Sequence, residues 1–298
     1  MQAMDFNPLD YPAVFMKPLR LRISAWTEHI PFAFGLIQIL RPATLVELGA
    51  YTGVSYCAFC QAVESLDLPT RCSAVDTWRG DEHAGWYGEE VYQDLASYHD
   101  PLYGGFSTLM RMSFDEAVQH FSDGSIDLLH IDGLHYYDAV KRDFELWLPK
   151  MSKKGIVLMH DTCVRERDFG VERLFRELAD RYPVFEFTHC HGLGIIGVGE
   201  SARGGALREF FRADAESTAA IRSFFTALGL NISLESRIEE TEEKLGRLSE
   251  QYSEQNRLME QHQARIEELQ NQMTRLLNSR SWRWTEWLRS SRRFLNRK

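Results

Sequence analysis

The feature that most constrains this chain is an apolar run ending in an acid and a glycine turn, Val-Glu-Leu-Gly-Ala-Tyr-Thr-Gly at 46–53. A second apolar run follows and ends at Asp76. Runs of this kind are typical of buried parallel strands, and a Gly-x-x-x-Gly turn lets the backbone approach a ligand closely. An acid after the second strand can accept two hydrogen bonds from ribose hydroxyls. Since the carboxyl ends of such strands meet at one edge of an open sheet, the pattern predicts a nucleoside pocket there.

Strand and helix patterns alternate along the next part of the chain. The pattern predicts a seven-stranded, mostly parallel, doubly wound (Rossmann-like) α/β sheet that ends in a hairpin. The long, aromatic segment 79–106 is predicted to be a lid or a substrate-facing insertion. The predicted strands are 44–49, 71–76, 107–112, 126–132, 155–160, 184–188 and 193–198, and the predicted helices between them are 53–65, 86–98, 114–121, 136–148 and 168–181.

A different organisation follows the sheet. Apolar residues then recur at heptad a and d positions from Leu234 to Leu276, which is typical of a coiled coil of two or three chains. The sequence therefore predicts five parts: an N-terminal helical segment 1–43, a ligand-binding domain 44–200, a helical connector 201–231, a coiled coil 232–279, and a basic aromatic tail 280–298.

Charge is distributed unevenly along the chain. The net charge is −9, but residues 275–298 carry +7, which leaves −16 on the rest. We expect the tail to bind either an anionic membrane surface or a partner protein such as a glycosyltransferase, and we expect no nucleic-acid partner.

Because the chain has no apolar run of transmembrane length and no export signal pattern, we expect a cytoplasmic protein, peripheral at the inner face of the membrane. Cys57 and Cys60 are predicted to be packed thiols.

Two further strand ends carry the candidate chemistry. The fourth predicted strand runs into Asp132 and His135, and the fifth into His160 and Asp161. Asp132, His160 and Asp161 could hold Mg²⁺ or Mn²⁺, which would acidify an acceptor hydroxyl. Without a metal, His135 or Asp132 could act as the general base. By strand alternation, His130 is predicted to point to the opposite face and pack against helices.

The glycine turn also limits the ligand. Its spacing is not Gly-x-Gly-x-x-Gly, and no Lys-Ser/Thr follows it, so it indicates neither a pyrophosphate cradle nor a P-loop. The residues favour an adenosyl ligand without phosphates, for which S-adenosylmethionine (SAM) is the first candidate.

With these motifs in view, residues 20–200 resemble the class I SAM-dependent methyltransferases. The segment 46–53 is similar to their cofactor loop, and Asp76 to their ribose-binding acid. Ile-Asp-Gly-Leu-His at 131–135 together with His160-Asp161 resembles a group found beside bacterial glycan and natural-product pathways. Related macrolide-sugar O-methyltransferases hold magnesium with acids at these strand ends, whereas this chain has His160 where a second acid would stand. The predicted stalk and tail resemble those of O-antigen chain-terminating methyltransferases.

The resemblance implies a SAM-dependent O-methyltransferase that acts on a sugar hydroxyl of a bacterial surface polysaccharide or its precursor. Asp132 and His135 would be catalytic. The alternatives are a small-molecule O-methyltransferase of a natural-product pathway and a non-catalytic coiled-coil scaffold of a glycan-assembly complex. The implied cofactor-binding residues are Glu47, Gly49, Tyr51 and Gly53 in the loop, Asp76 at the ribose, Thr77, Trp78, Met112 and Ser113 around the adenine, and Asp132.

Overall fold

The computed structural model describes residues 6–166 and 168–286. The chain divides into two units, with the boundary between Ser236 and Arg237. The first unit contains the sheet and the candidate site, and the second is helical.

The first unit is built on one seven-stranded sheet, in agreement with the predicted number of strands. Its order is β5-β2-β1-β6-β7-β9-β8, with β9 antiparallel to β7 and to β8 and all the other pairs parallel. The chain moves outward from β1 to β5 and then returns to β6 on the other side of β1, so the order reverses between β1 and β6. The strands are β1 Thr44–Leu48, β2 Arg71–Asp76, β5 Ser107–Arg111, β6 Ile126–Ile131, β7 Met151–His160, β8 Val184–Phe187 and β9 Leu193–Gly197.

Helices cover the sheet close to the predicted positions. The predicted helical connector 201–231 is interrupted at residues 212–214. Its second part begins at Ala215 because the Asp214 carboxylate accepts a hydrogen bond from the Ser217 amide (2.8 Å) and caps a new helix. The helices are α1 Ile30–Leu40, α2 Val54–Ser65, α3 Glu89–Tyr103, α4 Phe114–Ala117, α5 Tyr137–Trp147, α6 Val171–Ala179, α7 Gly205–Phe211, α8 Ala215–Asn278 and α9 Arg280–Trp284.

Packing on the α1–α2 side of the sheet confirms two of the predictions. His130 is fully buried among the rings of Trp26 and Phe59. Cys57 and Cys60 are buried free thiols on α2, and burial raises the pKa of each above its ordinary value. Neither cysteine is therefore suited to redox or metal chemistry.

The segment 79–106 folds into a two-stranded ribbon, β3 Gly80–Asp81 and β4 Gly85–Trp86, followed by α3. Its aromatic residues separate into two groups. Trp86 is exposed at the ribbon, whereas Tyr103 is fully buried at the end of α3. The ribbon and the packed helix thus have different surroundings, and the lid function remains a prediction.

The second unit continues as helix to Asn278, where Ser279 caps α9. Apolar side chains of the predicted heptads are 42–71% exposed in this single chain, so the coiled coil remains a prediction. The predicted tail lies partly outside the described residues, since 287–298 are not included. None of the described helices is long and apolar enough to cross a membrane.

Candidate active site

A cavity of about 420 Å³ lies where the strand order reverses, at the carboxyl ends of β1, β2 and β6. Seven of the predicted site residues line it, namely Gly49, Tyr51, Asp76, Thr77, Ser113, Asp132 and His135. Asp161 and His160 lie next to Asp132 but do not themselves line the cavity. The remaining predicted residues, Glu47, Gly53, Trp78 and Met112, are not among the lining residues.

The glycine loop after β1 is shaped by close backbone contact. Gly49 has φ +89°, and a Cβ there would lie 2.0 Å from the carbonyl oxygen of Asp132. Gly53 has φ +77°, and a Cβ there would meet the Leu95 side chain at 2.4 Å. Side chains at these positions would therefore push the loop away from β6 and α3, which explains the spacing of the two glycines.

The Asp76 carboxylate organises the same loop. It accepts hydrogen bonds from the amides of Ala50 (3.0 Å), Tyr51 (2.9 Å) and Trp78 (2.7 Å). Burial raises the pKa of Asp76, although these three donors oppose the rise. Because two carboxylate oxygens offer about four lone-pair positions, the group can still accept from ligand hydroxyls in the cavity. Trp78 is buried behind the loop, where its indole nitrogen donates to the Tyr51 carbonyl (3.0 Å).

Glu47 is turned into the protein interior. Its carboxylate accepts a hydrogen bond from Ser55 (2.7 Å) and lies 3.1 Å from Nδ1 of His130. Nε2 of His130 accepts from the indole of Trp26 (3.1 Å), which can only donate, so the ring proton of a neutral His130 sits on Nδ1 and faces Glu47. Glu47 is thus a buried acid of β1 that faces His130 of the neighbouring strand β6.

Two carboxylates and two imidazoles converge at the cavity edge. Nε2 of His135 lies 2.9 Å from Asp161 Oδ2 and 3.4 Å from Asp132 Oδ1. Nδ1 of His160 lies 3.4 Å from Asp132 Oδ1 and 3.5 Å from Asp161 Oδ1. The sequence predicted this convergence, because β6 and β7 are parallel neighbours whose carboxyl ends meet.

The four groups perturb one another strongly. Burial alone would lower the pKa of His135, but the hydrogen bonds to Asp132 and Asp161 outweigh it and raise this pKa to about 9. The carboxylates outweigh burial at His160 too, where the pKa rises to about 10. Burial would raise the pKa of both acids, but the imidazoles hold each of them well below its ordinary value. At neutral pH the acids therefore stay ionised and both imidazoles stay protonated, so a cation bound here would displace the imidazole protons.

The donor set fits a divalent cation. One oxygen each from Asp132 and Asp161 and Nε2 of His135 lie within 4.8 Å of one another. Nε2 of His160 lies 3.2 Å from the Cys190 carbonyl, which can only accept, so Nε2 carries the ring proton. Metal-binding histidines commonly donate a hydrogen bond from their other ring N–H to such a carbonyl. Nδ1 of His160 is therefore oriented to serve as a fourth metal ligand. Two carboxylates with imidazoles suit Mn²⁺ better than Mg²⁺.

Residues beyond the predicted set also reach the site. His191 Nδ1 lies 3.1 Å from Asp161 Oδ1, and the backbone around this contact has positive φ at Asp161 (64°), Cys190 (43°) and His191 (69°). Strain of this kind is concentrated at functional sites. Further cavity-lining residues come from the β3–β4 ribbon, the start of α4, the loop after β6 and the first half of α5: Gly80, Asp81, Ala84, Tyr87, Phe114, Asp115, Gly133, Leu134, Ala139, Arg142 and Asp143.

Sequence reasoning missed these residues for an identifiable reason. The ribbon lies within the predicted insertion. The sequence did not show that Asp81 and Tyr87 line the cavity and that Trp86 does not. Arg142 and Asp143 fall on an amphipathic helix whose buried stripe is Val140, Phe144 and Trp147. Polar residues beside such a stripe are usually solvated, so the pattern contained no signal for them.

Comparison with known families agrees with this geometry. Residues 46–162, which span the cofactor loop to the end of β7, match the family described as a methyltransferase domain. These residues form a methyltransferase domain. The match contains the glycine loop, Asp76 and the whole Asp132–Asp161 cluster. It confirms the class of domain that the sequence predicted and leaves the acceptor open.

Individual proteins resemble the chain over part of its length. The uncharacterized protein y4gI of Sinorhizobium fredii is 52% identical over 173 residues, which are 58% of this chain but 19% of that protein. The crystal structure of the SAH-bound methyltransferase PaMTH1 of Podospora anserina has a TM-score of 0.45 at 13% identity, covering 57% of this chain and 77% of its own. The SAM complex of the O-methyltransferase TomG of Streptomyces achromogenes has a TM-score of 0.44 at 14% identity, covering 67% and 99% respectively.

Proposed function

We propose that the chain is a SAM-dependent O-methyltransferase that modifies a sugar hydroxyl of a bacterial surface polysaccharide or of its precursor. The observation that carries this proposal is the position of the cluster Asp132, His135 and Asp161, at the edge of the cavity of a methyltransferase domain. Transfer to oxygen requires a group that takes or weakens a hydroxyl proton, and this cluster provides one.

The charge of the cavity supports SAM as the methyl donor. Its lining contains two basic residues, Arg142 and His135, and five acids, Asp76, Asp81, Asp115, Asp132 and Asp143. An acidic cleft attracts cations and repels phosphates. SAM carries a positive sulfonium and no phosphate, so it matches this lining better than a nucleotide does.

The chemistry needs little beyond alignment and proton removal. The acceptor oxygen attacks the methyl carbon of SAM in line with the carbon–sulfur bond, which breaks and releases S-adenosylhomocysteine. The domain holds the two reactants in position, which can contribute most of the rate enhancement. A cation held by Asp132, His135 and Asp161 would acidify the acceptor hydroxyl; without one, His135 could take the proton only in its neutral form, which prevails above its pKa of about 9.

A sugar acceptor is supported by features outside the methyltransferase domain. The exposed heptad face and the basic aromatic residues that begin at Arg280 indicate attachment to a larger assembly or surface. A freely diffusing natural-product acceptor would need neither. A polymer under construction on a membrane-bound carrier would benefit from both.

Calorimetric titration of the full chain with SAM tests the donor. We expect a micromolar dissociation constant and no binding of ATP, because the lining is acidic. Absence of SAM binding would contradict the enzymatic proposal and favour the scaffold alternative. Mass spectrometry of surface polysaccharide from a strain lacking this chain tests the acceptor, where we expect the loss of one methyl group per modified unit.

We propose that a second copy of the chain covers the exposed apolar face of the second unit, in a dimer or trimer. Leu245, Leu248, Tyr252 and Met259 are 60–71% exposed along one helix, a larger apolar surface than a lone soluble helix usually presents. Helices with such a stripe bury it against one another.

Sedimentation of the full chain tests this self-association. We expect an oligomer for the native sequence, and dissociation to monomers for Leu248→Glu, because a carboxylate at a d position cannot be buried without a partner. Ala264→Glu is the matched control at an outer f position and should remain oligomeric. A native chain that sediments as a monomer would rule the coiled coil out.

A further inference from the structure

Part of the cavity lining is formed by Gly133 and the residues around it. A Cβ at Gly133 would lie 2.5 Å from the Phe114 ring, so that ring packs directly against the glycine backbone. Leu134 and Ala139 add further apolar lining. An aromatic ring and small apolar groups in the lining of a cavity suit a flat heterocycle.

One carboxyl group of this lining, that of Asp143, has no partner among residues 6–166 and 168–286. Asp143 Oδ2 lies beside Gly133, 3.8 Å from where a Cβ would stand. Among the described residues, none forms a hydrogen bond or an ion pair with Asp143. The neighbouring acid differs in this respect, because Asp115 forms an ion pair with Arg142 at 2.6 Å. Asp143 thus lines the cavity with a carboxyl group that is available to a ligand.

The surroundings of Asp143 favour its neutral form. Burial, with the nearby charge of Asp115, raises the pKa of Asp143 to about 7, and Arg142 only partly opposes the rise. The facing loop presents the backbone of Gly133, which carries no charge. A neutral carboxylic acid has an O–H donor next to a carbonyl acceptor. The Watson–Crick edge of adenine presents the matching pair, with N1 as acceptor and the N6 amino group as donor.

We propose that Asp143 is the adenine-reading residue of the cofactor pocket, with its O–H donating to N1 and its carbonyl oxygen accepting from the N6 amino group. The inference rests on the proposed function, since it takes the adenosyl group of SAM as the ligand. It assigns a binding role to an α5 residue outside the cofactor loop and the strand ends.

The N1 contact is tested by a thermodynamic cycle in which one protein residue and one ligand atom are changed separately and together. The probes are S-adenosylhomocysteine and its 1-deaza analogue, titrated into the full native chain and into Asp143→Leu at pH 6.5. We expect the native protein to bind the 1-deaza analogue about tenfold more weakly, since it loses one hydrogen bond to a desolvated group. The two probes should bind Asp143→Leu with equal affinity. The 7-deaza analogue keeps N1 and N6, so any change it produces should be the same in both proteins.

The pH dependence supplies a second readout that does not depend on the leucine variant. We expect native affinity for S-adenosylhomocysteine to fall about tenfold between pH 6.5 and pH 8.5, because the acid loses the proton it donates. Asp143→Asn keeps a donor and an acceptor without titrating, so its affinity should stay constant over this range.

The possible failures are distinguishable. If the native chain binds no S-adenosylhomocysteine at either pH, the proposed function is wrong. If it binds, and Asp143→Leu retains the full preference over the 1-deaza analogue, only the assignment of Asp143 is wrong. The same conclusion follows if Asp143→Asn reproduces the native pH dependence.

Discussion

Replacing His135 with alanine is expected to lower turnover about a hundredfold or more, while the affinity for SAM changes by less than about threefold. The ring lines the cavity, and its Nε2 faces both Asp132 and Asp161. The imidazole ring of His135 stacks on the ring of Phe169, with ring centroids 4.5 Å apart and planes 5° from parallel, so its orientation is fixed. The loop that would hold the cofactor is organised by Asp76, at a different strand end. Removing the imidazole should therefore impair the reaction and spare cofactor binding.

Steady-state kinetics and calorimetry on the same preparation measure the two quantities separately. His120→Ala is the matched control, since His120 is exposed at the end of a short helix and does not line the cavity. The control should keep native turnover. Thermal unfolding of His135→Ala shows whether the lost ring contact has disturbed the fold. Native turnover in this variant would remove His135 from both the base and the cation-binding roles.

Removal of divalent cations is expected to have the second large effect, a loss of turnover of about a hundredfold or more that Mn²⁺ or Mg²⁺ restores. The physical reason is the cluster itself. Two ionised carboxylates and an imidazole offer ligand atoms within 4.8 Å of one another, and the acids are held ionised. A cation bound there would lie at the cavity edge, where an acceptor hydroxyl must lose its proton.

A direct binding measurement separates this role from indirect effects on activity. Titration of the chelator-treated chain with Mn²⁺, followed by electron paramagnetic resonance, should show one tight site. Asp161→Asn should weaken it by at least about tenfold, since a neutral amide replaces a charged ligand. Full turnover in chelator would exclude a catalytic metal.

How far the site could be predicted depends on where each residue stands in its element. Asp76 and Asp132 were predictable because a residue that ends a parallel strand must reach the carboxyl edge, whatever the packing around it. Gly49 was predictable because only glycine tolerates the close approach to the Asp132 carbonyl. Glu47 also belongs to the motif, but its position inside β1 directs its side chain toward His130, and a motif does not state which way a side chain turns.

The sequence by itself determined the strands, their sheet and the cluster of acids and imidazoles at the ends of β6 and β7. The spacing of apolar residues and the points where strands end are local properties of the sequence. Tertiary structure alone decided which surface residues became lining residues. Asp143 lies beside the buried stripe of α5, and the docking of that helix over Gly133 places it in the cavity. His191 approaches Asp161 because β9 pairs with β7, a contact between residues 30 positions apart. Such long-range placements follow from how whole elements pack, which no local pattern encodes.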